Sequence, residues 1–198
     1  MTTHGPAFSA TPFDPNAVTH VTVGHATLTF TDPNTAQFAY TVNGIAQVKT
    51  LTRELFGTAP ACAFGAQPNL ALAANYQDLW WAAPAGIESG WGINLTMQSN
   101  VIFATWFTYD VDGTPLWLSV TATNVAPGVY SGPLARTRGP PFDSVPFDPA
   151  KVTRTPVGTA TFTFADGNHG TFAYTVNGVS QSKPITREVF VSPGTVCQ

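Results

Sequence analysis

Residues 5–56 and residues 139–190 are two copies of one sequence. GPAFSATPFDPNAVTHVTVGHATLTFTDPNTAQFAYTVNGIAQVKTLTRELF aligns without a gap on GPPFDSVPFDPAKVTRTPVGTATFTFADGNHGTFAYTVNGVSQSKPITREVF, with about 30 of roughly 52 positions identical. The period is about 134 residues, so residues 62–198 make one complete unit and residues 1–61 make the C-terminal part of a preceding one. A chain of this kind is expected to be modular. The complete unit is expected to carry one core, and the incomplete one has to find its packing elsewhere.

Within each unit the pattern is strand and turn. Pro or Gly interrupts most windows long enough for a helix. Runs rich in Val, Thr, Phe, Tyr and Trp predict strands at 90–98, 101–110, 115–124, 129–137, 157–165, 170–176 and 179–190, with the first copy repeating the last three at 23–31, 36–42 and 45–56. Asn43-Gly44 and Asn177-Gly178 offer the positive φ values that a two-residue hairpin needs, and Asp112-Gly113 offers the same between two aromatic runs. The proline-rich stretches 12–15 and 140–149 cannot donate a full ladder and read as irregular connections. Residues 57–75, poor in charge and rich in Ala and Pro, read as a linker.

Consecutive antiparallel strands in this number predict an all-β fold, an up-and-down meander closing into a barrel, with a two-sheet sandwich as the alternative. Three tail strands with an apolar face cannot stand alone in water. They are expected to extend the sheet of the complete unit or to form a strand-swapped homodimer.

The two cysteines, Cys62 and Cys197, bracket the complete unit. Either they are equivalent unpaired positions in successive repeats, or they form a disulfide stapling the two ends of one domain. In an oxidising compartment such a bond contributes roughly 4–5 kcal/mol in the chain-entropy description.

Charge narrows the range of partners. Only 10% of residues are charged, the net charge is −3, and the eight Lys and Arg residues are scattered. With no basic stripe, no nucleic-acid partner is expected, and with no apolar run of about 18 residues, no membrane insertion. The opening MTTHGPAF lacks the charged and apolar regions of a signal peptide. The polar but weakly charged composition is that of an exported β-rich module, secreted or at the cell surface, with its export signal outside this chain.

All five Trp lie between positions 80 and 117, in the part of the unit present only once. If Met97 faces Phe103 across a turn at 98–100, alternation puts Trp91, Ile93, Leu95, Met97, Phe103, Phe107, Tyr109, Leu116, Leu118 and Val120 on a core face. The opposite face then carries Asn94, Thr96, Trp106, Thr108, Trp117, Ser119 and Thr121. Together with Trp80 and Trp81, these form the candidate surface for a glycan or small amphipathic ligand, with flat apolar area beside short hydrogen-bonding groups. Alternatively, Trp106 and Trp117 merely cover the outside of a barrel.

The densest local signal is Glu88-Ser89-Gly90-Trp91-Gly92. A catalytic serine at Ser89 needs a base, and the complete unit has one His, His169, with Asp110 or Asp112 as the acid. That combination would give an ester or lactone hydrolase, although Ser89 lacks the G-x-S-x-G elbow. Glu88 with Asp110 or Asp112 is the corresponding glycosidase pair. Asp110 and Asp112 have the spacing of the first two ligands of a calcium loop, which the turn alone also explains. No Cys/His cluster points to zinc and no Gly-rich loop points to nucleotide. The pairs Arg53-Glu54 and Arg187-Glu188 read as solvated charges at strand ends.

The string LWWAAPAGIESGWGINLTMQSNVIFATWFTYDVDGTPLWL, followed by YSGPLARTRGPPF and by the VGTATFTF…FAYTVNG…ITREVF tail, resembles a recurrent, largely uncharacterised β-rich repeat of exported bacterial proteins that often follows other domains. The resemblance spans the unit from about residue 62 to the end. It implies an extracellular accessory module and carries over no catalytic residue. Where that repeat commonly has His-Gln-Gly, this chain has Met97-Gln98-Ser99, so no histidine role transfers to that turn. The sequence thus points to an accessory module that binds a carbohydrate or amphipathic ligand, with a Ser89 hydrolase and a structural or adhesive spacer as alternatives.

Overall fold

The computed structural model describes residues 1–198 and is all-β. In chain order the strands are β1 (Thr2–His4), β2 (Thr19–Val21), β3 (Gly24–Asp32), β4 (Thr35–Val42), β5 (Ile45–Thr52), β6 (Cys62–Gln67), β7 (Asp78–Ala82), β8 (Gly92–Gln98), β9 (Val101–Tyr109), β10 (Pro115–Ala126), β11 (Val129–Arg138), β12 (Thr153–Phe164), β13 (His169–Val176), β14 (Val179–Arg187) and β15 (Gly194–Cys197). Strands β7 to β14 form an eight-stranded antiparallel barrel in which every strand pairs with its sequence neighbours and β14 pairs back onto β7. The closed meander expected from the sequence is therefore the fold of the complete unit. No helix is long and apolar enough to cross a membrane.

The barrel interior is filled by alternate residues of all eight strands. Trp80, Ile93, Leu95, Ile102, Ala104, Trp106, Leu118, Val120, Leu134, Phe162, Phe172 and Ile185 are each at most 2% exposed. Side chains thus fill the lumen, as the small circumference of an eight-stranded barrel requires. Aromatic rings dominate it: Trp106 lies edge-on to Phe172 at 5.1 Å and tilted against Tyr174 at 4.4 Å, and Phe162 stacks on Phe172 at 5.0 Å.

The hairpin from β8 to β9 corrects the sequence reading. Gln98 pairs with Val101, so Ser99 and Asn100 alone make the turn, with Ser99 at φ 51°, and Met97 faces Ile102 instead of Phe103. A slip of one residue turns every side chain of a strand to the other face. Trp106 and Thr108 consequently point into the core, 2% and 4% exposed, while Phe103 and Phe107 move to the outer surface. Tyr109 also leaves the lumen, but residues 5–13 cover it, and its hydroxyl donates to Gly90 O at 2.9 Å. Trp80 is likewise a core residue at 1% exposure. The expected turns at Asn43-Gly44 and Asn177-Gly178 are present with positive φ at both residues of each, whereas Asp112-Gly113 lies in a longer loop where Gly113 alone has positive φ.

The linker expected over 57–75 contains a strand. β6 pairs with β15, and Cys62 and Cys197 are joined by a disulfide between these strands. The chain therefore enters and leaves the barrel at one seam, which this small sheet ties together. The missed strands are short, and their partners lie more than a hundred residues away, which no local pattern records.

Residues 1–61 do not extend the sheet of the complete unit as expected. β3, β4 and β5 form a separate three-stranded sheet that does not join the barrel. The preceding segment, residues 5–18, instead closes one end of the barrel. Phe8 and Phe13 enter the barrel's hydrophobic core, each 5% exposed, and Phe8 N donates to Tyr109 O at 2.8 Å. At the other end, the β8–β9 tip holds the connection after β5: Gln98 Oε1 accepts from Phe56 N and Gly57 N, and Gln98 Nε2 donates to Glu54 O.

Two stability effects follow. Cys197→Ser should lower the free energy of unfolding by about 5 kcal/mol, because the bond closes a loop across a sequence separation of 135 residues; denaturant titration with and without reductant measures it. Trp106→Ala should cost about 3–5 kcal/mol as a core cavity, and an unchanged denaturation midpoint would place the ring outside the barrel.

Candidate functional site

The outer surface of β7 to β10 carries a band of aromatic rings, with Trp117 and Phe103 exposed and Trp81 and Phe107 half-buried. Gly92 faces Phe107 across β8 and β9, and Phe107 faces Trp117 across β9 and β10. One step beyond the Trp80–Ile93 pair, Trp81 meets Gly92 from β7. Trp81, Phe107 and Trp117 thus lie in one row across four strands, with Gly92 leaving a gap between the first two. Trp81 and Phe107 are two strand spacings apart, about 10 Å. Trp117 is 64% exposed and stands edge-on to Phe107 at 5.0 Å.

Polar groups line the adjacent rows. Asn94 faces Thr105, which faces Ser119; Thr96 faces Phe103, which faces Thr121. Phe103 is 39% exposed. Of the residues expected at a ligand face, the structure gathers Trp81, Asn94, Thr96, Trp117, Ser119 and Thr121 on one outer surface. It removes Trp80, Trp106 and Thr108 into the core and supplies Phe103, Thr105 and Phe107 in their place. Residues 101–109 are mainly apolar or aromatic on both faces, with one Thr on each, so composition could not orient the strand. Only the length of the Ser99-Asn100 turn decided it.

The catalytic constellation does not assemble. Ser89 and Glu88 belong to the β7–β8 loop, at the barrel end that also carries the β9–β10 loop with Asp110 and Asp112. His169 begins β13 just after the β12–β13 turn, which lies at the opposite end. Ser89 Oγ donates to Gly86 O at 3.0 Å. The His169 ring bonds the Asp166 carboxylate through Nδ1, at 2.9 Å from Oδ2, and that contact, with the Asn168 amide, holds the Asp166 carboxyl below its ordinary value.

The carboxylates nearest Ser89 are already engaged. Glu88 Oε2 accepts from Lys183 Nζ at 2.6 Å and from Trp91 Nε1 at 2.8 Å, and Lys183 also lies 5.5 Å from the Trp91 ring centre. Asp110 pairs with Arg136 at 2.7 Å. Asp112 accepts from the Thr114 hydroxyl and amide, and these bonds lower its pKa. No group of three or more His, Cys, Asp or Glu side chains is gathered that could hold a metal ion. Residues 5–18 pack over this end. Val18 approaches Gly90 so closely that a Cβ there would lie 2.5 Å from Val18 Cγ2, and Gly90 has φ +130°. Its glycine therefore serves the closure. Burial, and then the charge of Glu88, push the Tyr174 hydroxyl well above its ordinary pKa beneath the same segment.

Arg187 was expected to be solvated at a strand end and is instead 4% exposed. Its guanidinium donates to Gly167 O, Asn75 O and Gln77 O and pairs with Asp78 at 3.1 Å, and it lies over the Trp80 ring at 5.1 Å. Burial pushes its pKa down, and Asp78 counters that shift.

Comparison of the chain with protein-family models, with curated proteins and with solved structures returns no match.

Glu88→Ala leaves Lys183, 13% exposed in its side chain, without its carboxylate and Trp91 without its acceptor. It should cost about 1–3 kcal/mol in urea unfolding, whereas Ser89→Ala should leave the unfolding midpoint unchanged.

Proposed function

We propose that this protein is an exported accessory module that binds a carbohydrate through the outer aromatic band of β7 to β10. The observation that carries the reading is Trp117, a large ring left 64% exposed on a central strand of a rigid barrel, beside Phe107 and among short hydroxyl and amide side chains. A flat apolar face stacks on the C–H face of a pyranose ring, and fixed hydroxyls such as Ser119 and Thr121 exchange hydrogen bonds with sugar hydroxyls. Because the groups stand on strands, little ordering is needed on binding. The row from Trp81 to Trp117 suits an extended chain of sugars laid across the strands. The disulfide and the low charge support export to an oxidising compartment. A small amphipathic ligand would use the same rings and is the variant of this reading that a screen distinguishes.

A second reading, a structural or adhesive spacer, is favoured by the way residues 5–18 lock the two units together. Under it the aromatic band would have no soluble ligand. The hydrolase reading has no assembled base for Ser89 to support it.

Trp117→Ala should weaken glycan binding roughly thirtyfold, about 2 kcal/mol, without moving the thermal midpoint. Tryptophan fluorescence and calorimetric titration against a panel of soluble polysaccharides measure it, with Phe103→Ala as a second, smaller loss. Binding that survives Trp117→Ala moves the site elsewhere. No saturable ligand in the panel leaves the spacer reading, and product formation would revive the hydrolase.

A further inference from the structure

The segment 139–152 repeats, on the sheet β3–β5, the contacts that residues 5–18 make on the barrel. The Tyr174 hydroxyl bonds Gln181 Oε1 and lies 3.0 Å from Phe8 O, and Gln181 Nε2 donates to Ser9 O at 2.9 Å. At the equivalent positions of the repeat, the Tyr40 hydroxyl bonds Gln47 Oε1 at 2.6 Å and Phe142 O at 3.2 Å, and Gln47 Nε2 donates to Asp143 O at 3.0 Å. Each copy's segment therefore caps the other copy's sheet. The two exchanges are reciprocal, but only one of the receiving sheets is a closed barrel. Phe8 and Phe13 are each 5% exposed, whereas their equivalents Phe142 and Phe147 are 45% and 47% exposed over a groove of ≈ 730 Å³ that they share with Phe38, Tyr40 and Lys49.

The exposed inner face has the residues of a barrel wall. Leu28, Phe30 and Leu51 are 53%, 71% and 40% exposed, and their equivalents Phe162, Phe164 and Ile185 are 0%, 7% and 1% exposed. The charged positions are also prepared. Arg53 Nε donates to Pro33 O at 3.2 Å as Arg187 Nε does to Gly167 O, but Arg53 lacks the carboxylate that Asp78 gives Arg187. Lys49, equivalent to Lys183, lacks the carboxylate that Glu88 supplies there.

The register of β1 identifies the direction from which the missing wall arrives. Thr2, Thr3 and His4 pair with Val21, His20 and Thr19, the register in which Arg136, Thr137 and Arg138 at the end of β11 pair with Thr155, Arg154 and Thr153 at the start of β12. β1 is thus the end of a β11-type strand, and its backward continuation runs along the unpaired edge of β3. We propose that the inner face of β3–β5 is one wall of a second barrel, closed in cis by a five-stranded segment of the β7–β11 type that leads into β1 and carries carboxylates for Arg53 and Lys49.

The test compares the 198-residue chain with one carrying a second copy of residues 68–134 directly ahead of Met1, a join that keeps the repeat in phase and adds no thiol. Hydrogen exchange at the outer edges of β3 and β5 should slow by roughly a hundredfold in the extended chain, which should remain monomeric. Phe30→Asp and Arg53→Ala should be silent in thermal melts of the 198-residue chain, where both side chains are exposed, and should each lower the midpoint by several degrees in the extended one. Slow exchange across β7–β14 shows that the existing barrel has folded in both chains. With that barrel folded, edges that still exchange fast, or substitutions silent in both chains, overturn the proposal. If the 198-residue chain is itself a dimer that Phe30→Asp dissociates, the occupant is a second copy, and closure in cis is likewise overturned.

Discussion

The barrel depends on a short seam. Its first strand, β7, is held by short ladders on both sides: it meets β14 at only Ile185–Ala82, Thr186–Trp81 and Arg187–Trp80 and β8 at only three pairs, whereas β12 to β14 pair along most of their length. Main-chain bonds alone leave β7 the least extensively paired strand of the barrel. Arg187 reinforces it from inside, because one planar guanidinium reaches the carbonyls of residues 75, 77 and 167 and the Asp78 carboxylate at once. A buried cation is costly unless its donors are met, and here its three nitrogens all find oxygen. The Cys62–Cys197 bond holds the chain on both sides of the same seam and acts on the unfolded ensemble, so the two devices reinforce closure through different states.

Closure also determines what surface remains for function. Phe8 enters one end of the lumen with Phe13 packed on Tyr109 beside it, the connection after β5 sits on the β8–β9 tip at the other end, and aromatic rings occupy the space between. A lipocalin-like use of the interior is thereby excluded in this packing. The groups that carry chemistry at the capped end, Glu88, Asp110 and Asp112, are each committed to a cation or a turn. What remains accessible is the outer wall. Its aromatic band stands on β7 to β10, the strands that lie outside the duplicated sequence, so the residues that distinguish one unit's surface from its scaffold are those on single-copy strands.

Much of this architecture was legible in the sequence because it rests on local chemistry. The Asn-Gly turns and the alternation of 157–165 and 170–176 specify their hairpins without reference to the rest of the chain. The aromatic site was legible only in part. Residues 101–107 are apolar on both faces apart from Thr105, so the orientation of Trp106 depended on whether the hairpin turn held two residues or three, a difference of one peptide unit with little compositional mark. Arg187 was misjudged for another reason: its counter-ion, Asp78, lies about a hundred residues upstream and meets it only once the barrel has closed. β6 and β15 escaped notice on the same ground.

The duplication gives a controlled comparison of one sequence in two surroundings. Arg53 and Arg187 have the same neighbours in sequence and the same bond to a turn carbonyl, yet one is exposed and the other is among the most buried residues of the protein. Phe30 and Phe164 diverge in the same way. Local sequence therefore determines the hairpins in both copies, while burial of these residues is conferred by strands β7 to β11 and by residues 75–77 that lead into them. Those strands contribute the opposing wall, the carboxylates for the buried cations, and the outer aromatic band. Closing the lumen and displaying an outer surface are consequently two faces of one element, since alternation along each strand sends Ile93, Trp106 and Leu118 inward and Asn94, Phe107 and Trp117 outward. The outer residues can change without disturbing the inner ones, which gives the single-copy strands room to vary a binding surface on a fixed barrel.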